Sequence, residues 1–304
     1  MTVRFHCRLG FVLWLLALSA SVVADEAEEL VITEADREHW SFRPVVRPSV
    51  PKVKNSDWTR TPIDAFILAK LERAGRHPNR LAEKRDLLRR VFLDLAGRVP
   101  NVTETREFLK DSAADKRAVL IDKLLASDEY PNRMTNLMHV MLMERRGEHA
   151  DWLAYLRESF KQNKPWDVMA REMISPDPKN EQTRASAFFL SKRLEHYGQN
   201  AIDYPTMTRD VGRLFLGMDL QCAQCHDHLF IKDYKQDDFQ GMYIAFLNTE
   251  LRSDLKFPAV SEKLLAKKIE FQSVFNPEKK SIGPRIPGRS EIAIPEFAKG
   301  EEYL

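Results

Sequence analysis

Apolar residues recur at helical spacing from Thr61 onward. Thr61 is a capping residue, Pro62 suits the first helical position, and Asp64 sits in the first turn. Ile63, Phe66, Ile67, Ala69 and Leu71, with Lys70 among them, predict an apolar stripe on that helix, and Gly75 ends it. Leu81 to Ala96 predicts a second helix with Leu87, Leu88, Val91, Phe92 and Leu95 inward, stopped by Gly97 and Pro100. Thr103 to Leu109 and Asp115 to Ala126 follow, the latter with Val119, Leu120, Leu124 and Leu125 as its inner face. Residues 131–174 predict two or three more helices. Met134, Met138, Met141, Leu142 and Met143 crowd the first, Trp152, Leu153, Leu156 and Phe160 line the next, and Trp166, Met169 and Met173 continue after Lys164-Pro165. Residues 175–182 read as a loop. Met207 to Gly217 and Lys235 to Leu247 are the last two predicted helices, with Val211, Leu214 and Phe215, then Phe239, Met242, Tyr243 and Phe246, facing the core. From about residue 252 the pattern changes, and Ile269 to Phe275 and Ile292 to Ile294 read as strands between Pro and Gly breaks. The fold class is therefore mainly α, an irregular multi-helix domain with a short β or irregular C-terminal tail.

The residues before Thr61 follow another rule. Arg4, His6 and Arg8 form a basic head, Leu9 to Leu18 is a short apolar run, and Ser19 to Ala24 supplies small residues. This predicts a signal peptide over 1–24, cut after Ala24, and a secreted or periplasmic location. The apolar run is short for a spanning helix, and no other stretch approaches that length, so no membrane span is expected after cleavage. Residues 25–60 predict an extended strap, because Pro44, Pro48 and Pro51 favour polyproline geometry, with Trp40 and Phe42 pinning it. Lys and Arg number 47 against 45 Asp and Glu. Losing Arg4 and Arg8 with the signal leaves 45 against 45, which gives no electrostatic footprint for nucleic acid.

Cysteine use changes the picture. Cys7 goes with the signal, and the remaining two cysteines, Cys222 and Cys225, both stand in Cys222-Ala223-Gln224-Cys225-His226. Cys-x-x-Cys-His is the attachment pattern of a c-type haem. Two thiols three positions apart add to the two porphyrin vinyl groups, and the adjacent imidazole becomes the proximal iron ligand. Export agrees, since thioether formation takes place on the outer side of the cytoplasmic membrane. The expected cofactor is haem c, held by Cys222, Cys225 and His226. Arg209 and Arg213, one turn apart before the motif, are candidates for the haem propionates, or else form a salt-bridged face with Asp210. Met242, or Met138 or His139 upstream, are candidates for the sixth ligand. An otherwise unidentified redox partner protein follows from that reading.

Other uses of the thiols stay open. With His228 and a distant residue such as His196 they would hold zinc, since Cys-x-x-Cys is a common half-site. They would also form a disulfide in an exported protein, or serve as structural residues of a non-catalytic helical binding module. No Gly-x-Ser-x-Gly elbow and no glycine-rich phosphate loop occurs. Asp210, Asp227, Asp233, Asp237 and Asp238, with Lys232 and Lys235, read as an ordinary charged surface.

Thr208-Arg209-Asp210-Val211-Gly212-Arg213-Leu214-Phe215-Leu216-Gly217-Met218, running into the motif and Asp227-His228, resembles the second planctomycete cytochrome family, secreted proteins with a domain of unknown function. His39-Trp40-Ser41-Phe42-Arg43-Pro44, Pro62-Ile63-Asp64-Ala65-Phe66-Ile67 and Leu88-Arg89-Arg90 with Asp94-Leu95 and Gly97 are similar to its earlier tracts. The resemblance covers roughly 39–250. It implies a helical domain over 61–250 and a haem as probable cofactor, but no reaction; the tail over 251–304 reads either as a small β unit or as the opening of a further domain. The family's usual proline after the motif is Leu229 here.

Overall fold

The computed structural model describes residue 38 and residues 43–144, 146–195, 202–263 and 266–294. The signal segment, Cys7, Trp40, Phe42 and His196 lie outside the described residues. The chain divides into two units, one up to Asn79 and one from Arg80 onward.

In the first unit residues 44–53 form no helix or strand, and Val45, Val46 and Val50 are exposed. A short 3-10 turn, Ser56–Trp58, leads to α1 (Pro62–Arg73). Thr61 and Asp64 exchange bonds with each other's backbone in a capping box, so the predicted start of the helix is observed. The Glu72 carboxylate accepts from the N–H groups of Lys54 (3.0 and 3.1 Å) and Asn55 (3.2 Å), which ties the preceding segment to α1. The buried positions of α1 are Ala65 and Leu68, whereas Ile63 and Ile67 are 70% and 47% exposed. The expected stripe is thus misoriented. Apolar residues occupy so much of this helix's circumference that periodicity alone does not fix the inward side.

The second unit begins with α2 (Lys84–Leu95), α3 (Val102–Lys110) and α4 (Lys116–Leu125). Leu88 and Phe92 on α2, Phe108 on α3 and Leu124 on α4 make a small core, with Leu87, Val91, Leu95 and Leu120 packed on it. Val119 and Leu125 were expected inside and are exposed, because only the i, i+4 pair Leu120 and Leu124 faces α2. Gly97 turns the chain after α2 with φ 73°, and a Cβ there would lie 2.8 Å from Arg133 Cδ. The guanidinium of Arg98 sits 4.9 Å over Phe92 and donates to both Glu104 and Glu129, joining the starts of α3 and α5.

A larger core gathers α5 (Glu129–Met143), α6 (Ala150–Lys161), α7 (Trp166–Ile174), α8 (Phe188–Ser191), α9 (Tyr204–Phe215) and α10 (Gln236–Leu247). Trp152 is fully buried at its centre, between Tyr155 and Phe188. The segment after the 175–182 loop was not read as helical, yet Arg184–Ala187 and α8 form there and bury Phe188, Phe189 and Leu190. A helix this short carries too little periodicity to be recognised.

The tail is two antiparallel hairpins. β1 (Thr249–Leu251) pairs with β2 (Val260–Glu262), Leu251 opposite Val260, and β3 (Ile269–Gln272) pairs with β4 (Lys279–Ile282), Ile269 opposite Ile282. The strand expected at 292–294 does not form. Pro284 and Pro287 have no N–H for a ladder, and an isolated bridge between Arg285 and Glu291 replaces it. The architecture is mainly α with a small strand-containing tail. Among the described residues no helix is long and apolar enough to cross a membrane.

Candidate functional site: the Cys222–His226 turn

α9 sets the site up. The Asp203 side chain accepts from the Thr206 N–H at 2.9 Å, and Met207, Thr208, Val211 and Gly212 are buried. Gly217, with φ 66°, reverses the chain so that the Met218 N–H reaches the Gly212 carbonyl at 2.9 Å. The returning chain lies so near that a Cβ on Gly212 would stand 2.9 Å from Leu220 Cδ1 and 3.1 Å from the Met218 carbonyl. A glycine is needed there for close approach.

Leu220 and Ala223 are fully buried in the large core. With Ala223 inward, the 3-10 turn Cys222–Gln224 turns its neighbours outward, and Cys222 and Cys225 are free and exposed. The N–H groups of Cys225 and His226 both donate to the Cys222 carbonyl, at 3.2 and 3.3 Å. Gln224 is gripped from two helices: Arg209 on α9 donates to its side chain, and Gln240 on α10 donates to its carbonyl at 3.1 Å.

The two histidines differ in kind. His226 Nδ1 lies 2.6 Å from the Asp227 carbonyl. A carbonyl only accepts, so Nδ1 carries a proton in this contact, and in the neutral ring Nε2 then keeps its lone pair. That is the tautomer of a metal-ligating imidazole oriented by a backbone carbonyl. His228 is the reverse: its Nδ1 accepts from the N–H groups of Phe230 (3.1 Å) and Ile231 (3.0 Å), and its backbone N–H donates to the Tyr234 carbonyl at 2.9 Å. His228 therefore organises the turn that a proline would otherwise stiffen, and Leu229 is simply exposed. Asp227 accepts from the Gln236 N–H (2.9 Å) and Lys235 Nζ (3.1 Å). Burial pushes its carboxyl up, but these two donors outweigh it and hold it below the usual range.

The other candidate residues are placed as follows. Met242 is buried in the same core as Ala223 and packs there as an apolar side chain. Met138 packs against that core, while His139 Nδ1 accepts from the Trp152 indole at 3.1 Å. Arg213 is paired with Glu144 (2.7 Å) and Asp210 (3.5 Å), the salt-bridged alternative weighed above, whereas Arg209 reaches the motif through Gln224. Among the described residues no group of three or more His, Cys, Asp or Glu is arranged to hold a metal ion.

Asp210 and Asp238 are not surface carboxylates. Asp210 is buried against Arg193 and Arg146, and Asp238, 2% exposed, accepts from Arg285 and from the Gly288 N–H. Sequence reasoning passed over Arg285, Gln240 and Phe275. The available signal was Gly241, a costly residue for the middle of a helix: a Cβ there would lie 2.1 Å from Arg285 Cγ.

Leu229, Phe230 and Ile231, which follow the motif, and Val274 and Phe275 are exposed; the Val274 N–H donates to the Cys225 carbonyl at 3.0 Å, and Phe275 packs on the His226 ring at 4.7 Å. Two exposed thiols beside an imidazole whose Nδ1 meets a backbone carbonyl are the groups that would hold a thioether-linked haem there. Fold and site define a helical domain that presents a Cys-x-x-Cys-His turn between two of its helices. The chain belongs to the PSCyt2 family, described as a protein of unknown function (DUF1549), whose model matches residues 62–251. No curated protein matches the chain. No solved structure matches it either.

Proposed function

We propose that this is an exported c-type haem protein that acts in extracytoplasmic electron transfer or redox chemistry. Cys222 and Cys225 are the thioether positions, and His226 is the proximal ligand. A haem held there supplies one-electron oxidation and reduction at its iron. The observation that carries the reading is the contact of His226 Nδ1 with the Asp227 carbonyl, which leaves Nε2 to face a metal, beside two exposed thiols. His228, needed for a zinc reading, spends its Nδ1 lone pair on two backbone N–H groups. The signal-like segment Arg4 to Ala24 supports export.

The test is co-expression of the full chain with haem-attachment machinery in an exporting host. The expected result is a Soret band and, on reduction, the sharp α-band of thioether haem. Cys222→Ala combined with Cys225→Ala abolishes the colour and leaves the far-ultraviolet circular dichroism intact. A colourless wild-type protein that carries one zinc ion would overturn the reading in favour of a metal-stabilised binding module.

A further inference from the structure

The segment from Ile269 to Ile292 lies beyond the stretch that matches the family, yet it closes on the motif. Among the described residues, three side-chain attachments fasten it to α10, beside the bond that Asp238 accepts from the Gly288 N–H at 3.0 Å. The Gln236 amide donates to the Gln272 carbonyl at 3.2 Å, and Lys280 pairs with Asp237 at 3.4 Å. The third is the strongest: Arg285 lies across Gly241, donates its own N–H to the Gly241 carbonyl at 3.1 Å, and places its guanidinium on the buried Asp238. The notch admits only glycine, since the clash at 2.1 Å is with Arg285 Cγ, near the root of that side chain.

So fastened, the loop of the β3–β4 hairpin reaches the site. The Val274 N–H donates to the Cys225 carbonyl at 3.0 Å. The Ser273 hydroxyl accepts from the Phe275 N–H at 3.2 Å, shaping the loop. Phe275 is 71% exposed, so it serves no core, yet its ring packs on the imidazole of His226 with centroids 4.7 Å apart, tilted by 48°. An aromatic ring against one face of an imidazole restricts its rotation. Rotation is what would break the bond from Nδ1 to the Asp227 carbonyl and let the tautomers mix.

We infer that Phe275 is a positioning residue for His226: the hairpin, locked to α10 by Arg285 in the Gly241 notch, holds the imidazole in the orientation that keeps Nε2 free to ligate. The contact exists whatever the cofactor, but its purpose rests on the haem reading above. The two are separable by experiment.

Full-length wild type, Phe275→Ala, Phe275→Tyr and Gly241→Ala are prepared without haem and the His226 ring nitrogens are followed by 15N NMR. Wild type and Phe275→Tyr are expected to show one tautomer, with Nδ1 protonated. Phe275→Ala is expected to show a mixture, and Gly241→Ala the same, although it touches neither ring. A single unchanged tautomer in Phe275→Ala overturns the inference. The same chains are then matured with haem. In coloured protein, Phe275→Ala is expected to lower the midpoint potential, the ferric form gaining about threefold at fixed poise, because water reaches the ligand. An unchanged potential overturns the inference while leaving the haem assignment standing. A colourless wild type sinks the haem assignment alone, and the tautomer measurement still decides the role of Phe275.

Discussion

Asp210→Asn tests how the helix before the motif is held. Arg193, on the segment after α8, has a side chain only 2% exposed, and its Nε donates to Asp210 Oδ2 at 3.0 Å. Its other nitrogens donate to the carbonyls of Phe189 (2.8 Å) and Leu142 (2.7 Å), and the guanidinium lies 3.9 Å over the Phe189 ring. Burial pulls the Arg193 guanidinium down to about 10, with the Asp210 charge opposing that shift and Arg146 adding to it. Neutralising Asp210 leaves that cation, with Arg146 close by, in the core without its hydrogen-bonded countercharge, only Glu144 still acting on it. Breaking a buried pair from one side costs about 3–5 kcal/mol, against about 0–1 kcal/mol for an exposed pair. Asparagine keeps one acceptor, so the expected loss is about 3 kcal/mol, a large part of the 5–15 kcal/mol typical of a domain.

Urea denaturation followed by far-ultraviolet circular dichroism reads this directly. With a slope of about 3 kcal/mol per molar, suited to a domain of this size, the midpoint falls by about 1 M. Asp167→Asn, which breaks the exposed pair with Arg171, is the control and shifts it by less than about 0.3 M. Adding Arg193→Met to Asp210→Asn removes the stranded charge and is expected to recover much of the loss. The reasoning is refuted if Asp210→Asn behaves like the control, or if the double variant loses the sum of the two single effects.

Two further outcomes can be checked. The Arg98 guanidinium hydrogen-bonds Glu104 and holds its carboxyl below the usual range, so its stabilising contribution is complete above the unfolded carboxylate pKa and is lost as pH falls through the folded one. Glu104→Gln should therefore flatten the acid limb of the stability profile below about pH 4.5, as measured by thermal melts across pH. For the haem reading, His228→Ala should keep the α-band and cost about 1 kcal/mol, since only an exposed turn loses its acceptor, whereas His226→Ala should change the spectrum because the proximal ligand is gone.

What was legible in the sequence was whatever depends on near neighbours. The box at Thr61 and Asp64, the stops at Gly75, Gly97 and Gly217, and the inward Leu88 and Phe92 all follow from rules that reach four residues or fewer. The Cys222–His226 turn was equally plain, because its chemistry is written in five consecutive residues. What joins distant segments could not be read. Asp210 and Asp238 look like any surface aspartates until their partners arrive from 17 and 47 positions away. Phe275 looks like a strand residue until the hairpin returns to His226.

The same distinction bears on how the site works. The motif alone supplies thiols and an imidazole, groups that a flexible loop could offer equally well. What makes them a site is their fixed placement, and that comes from long-range contacts: Ala223 in the core, Gln224 between Arg209 and Gln240, and Asp227 on the first turn of α10. Each of these acts on a residue beside a candidate ligand instead of on the ligand itself. The backbone of the motif is therefore placed by the packing of α9 against α10, while Phe275 bears on the His226 ring itself, and a substitution that loosens the helix packing, such as filling the Gly212 notch against Leu220, should disturb the motif without altering any residue within it.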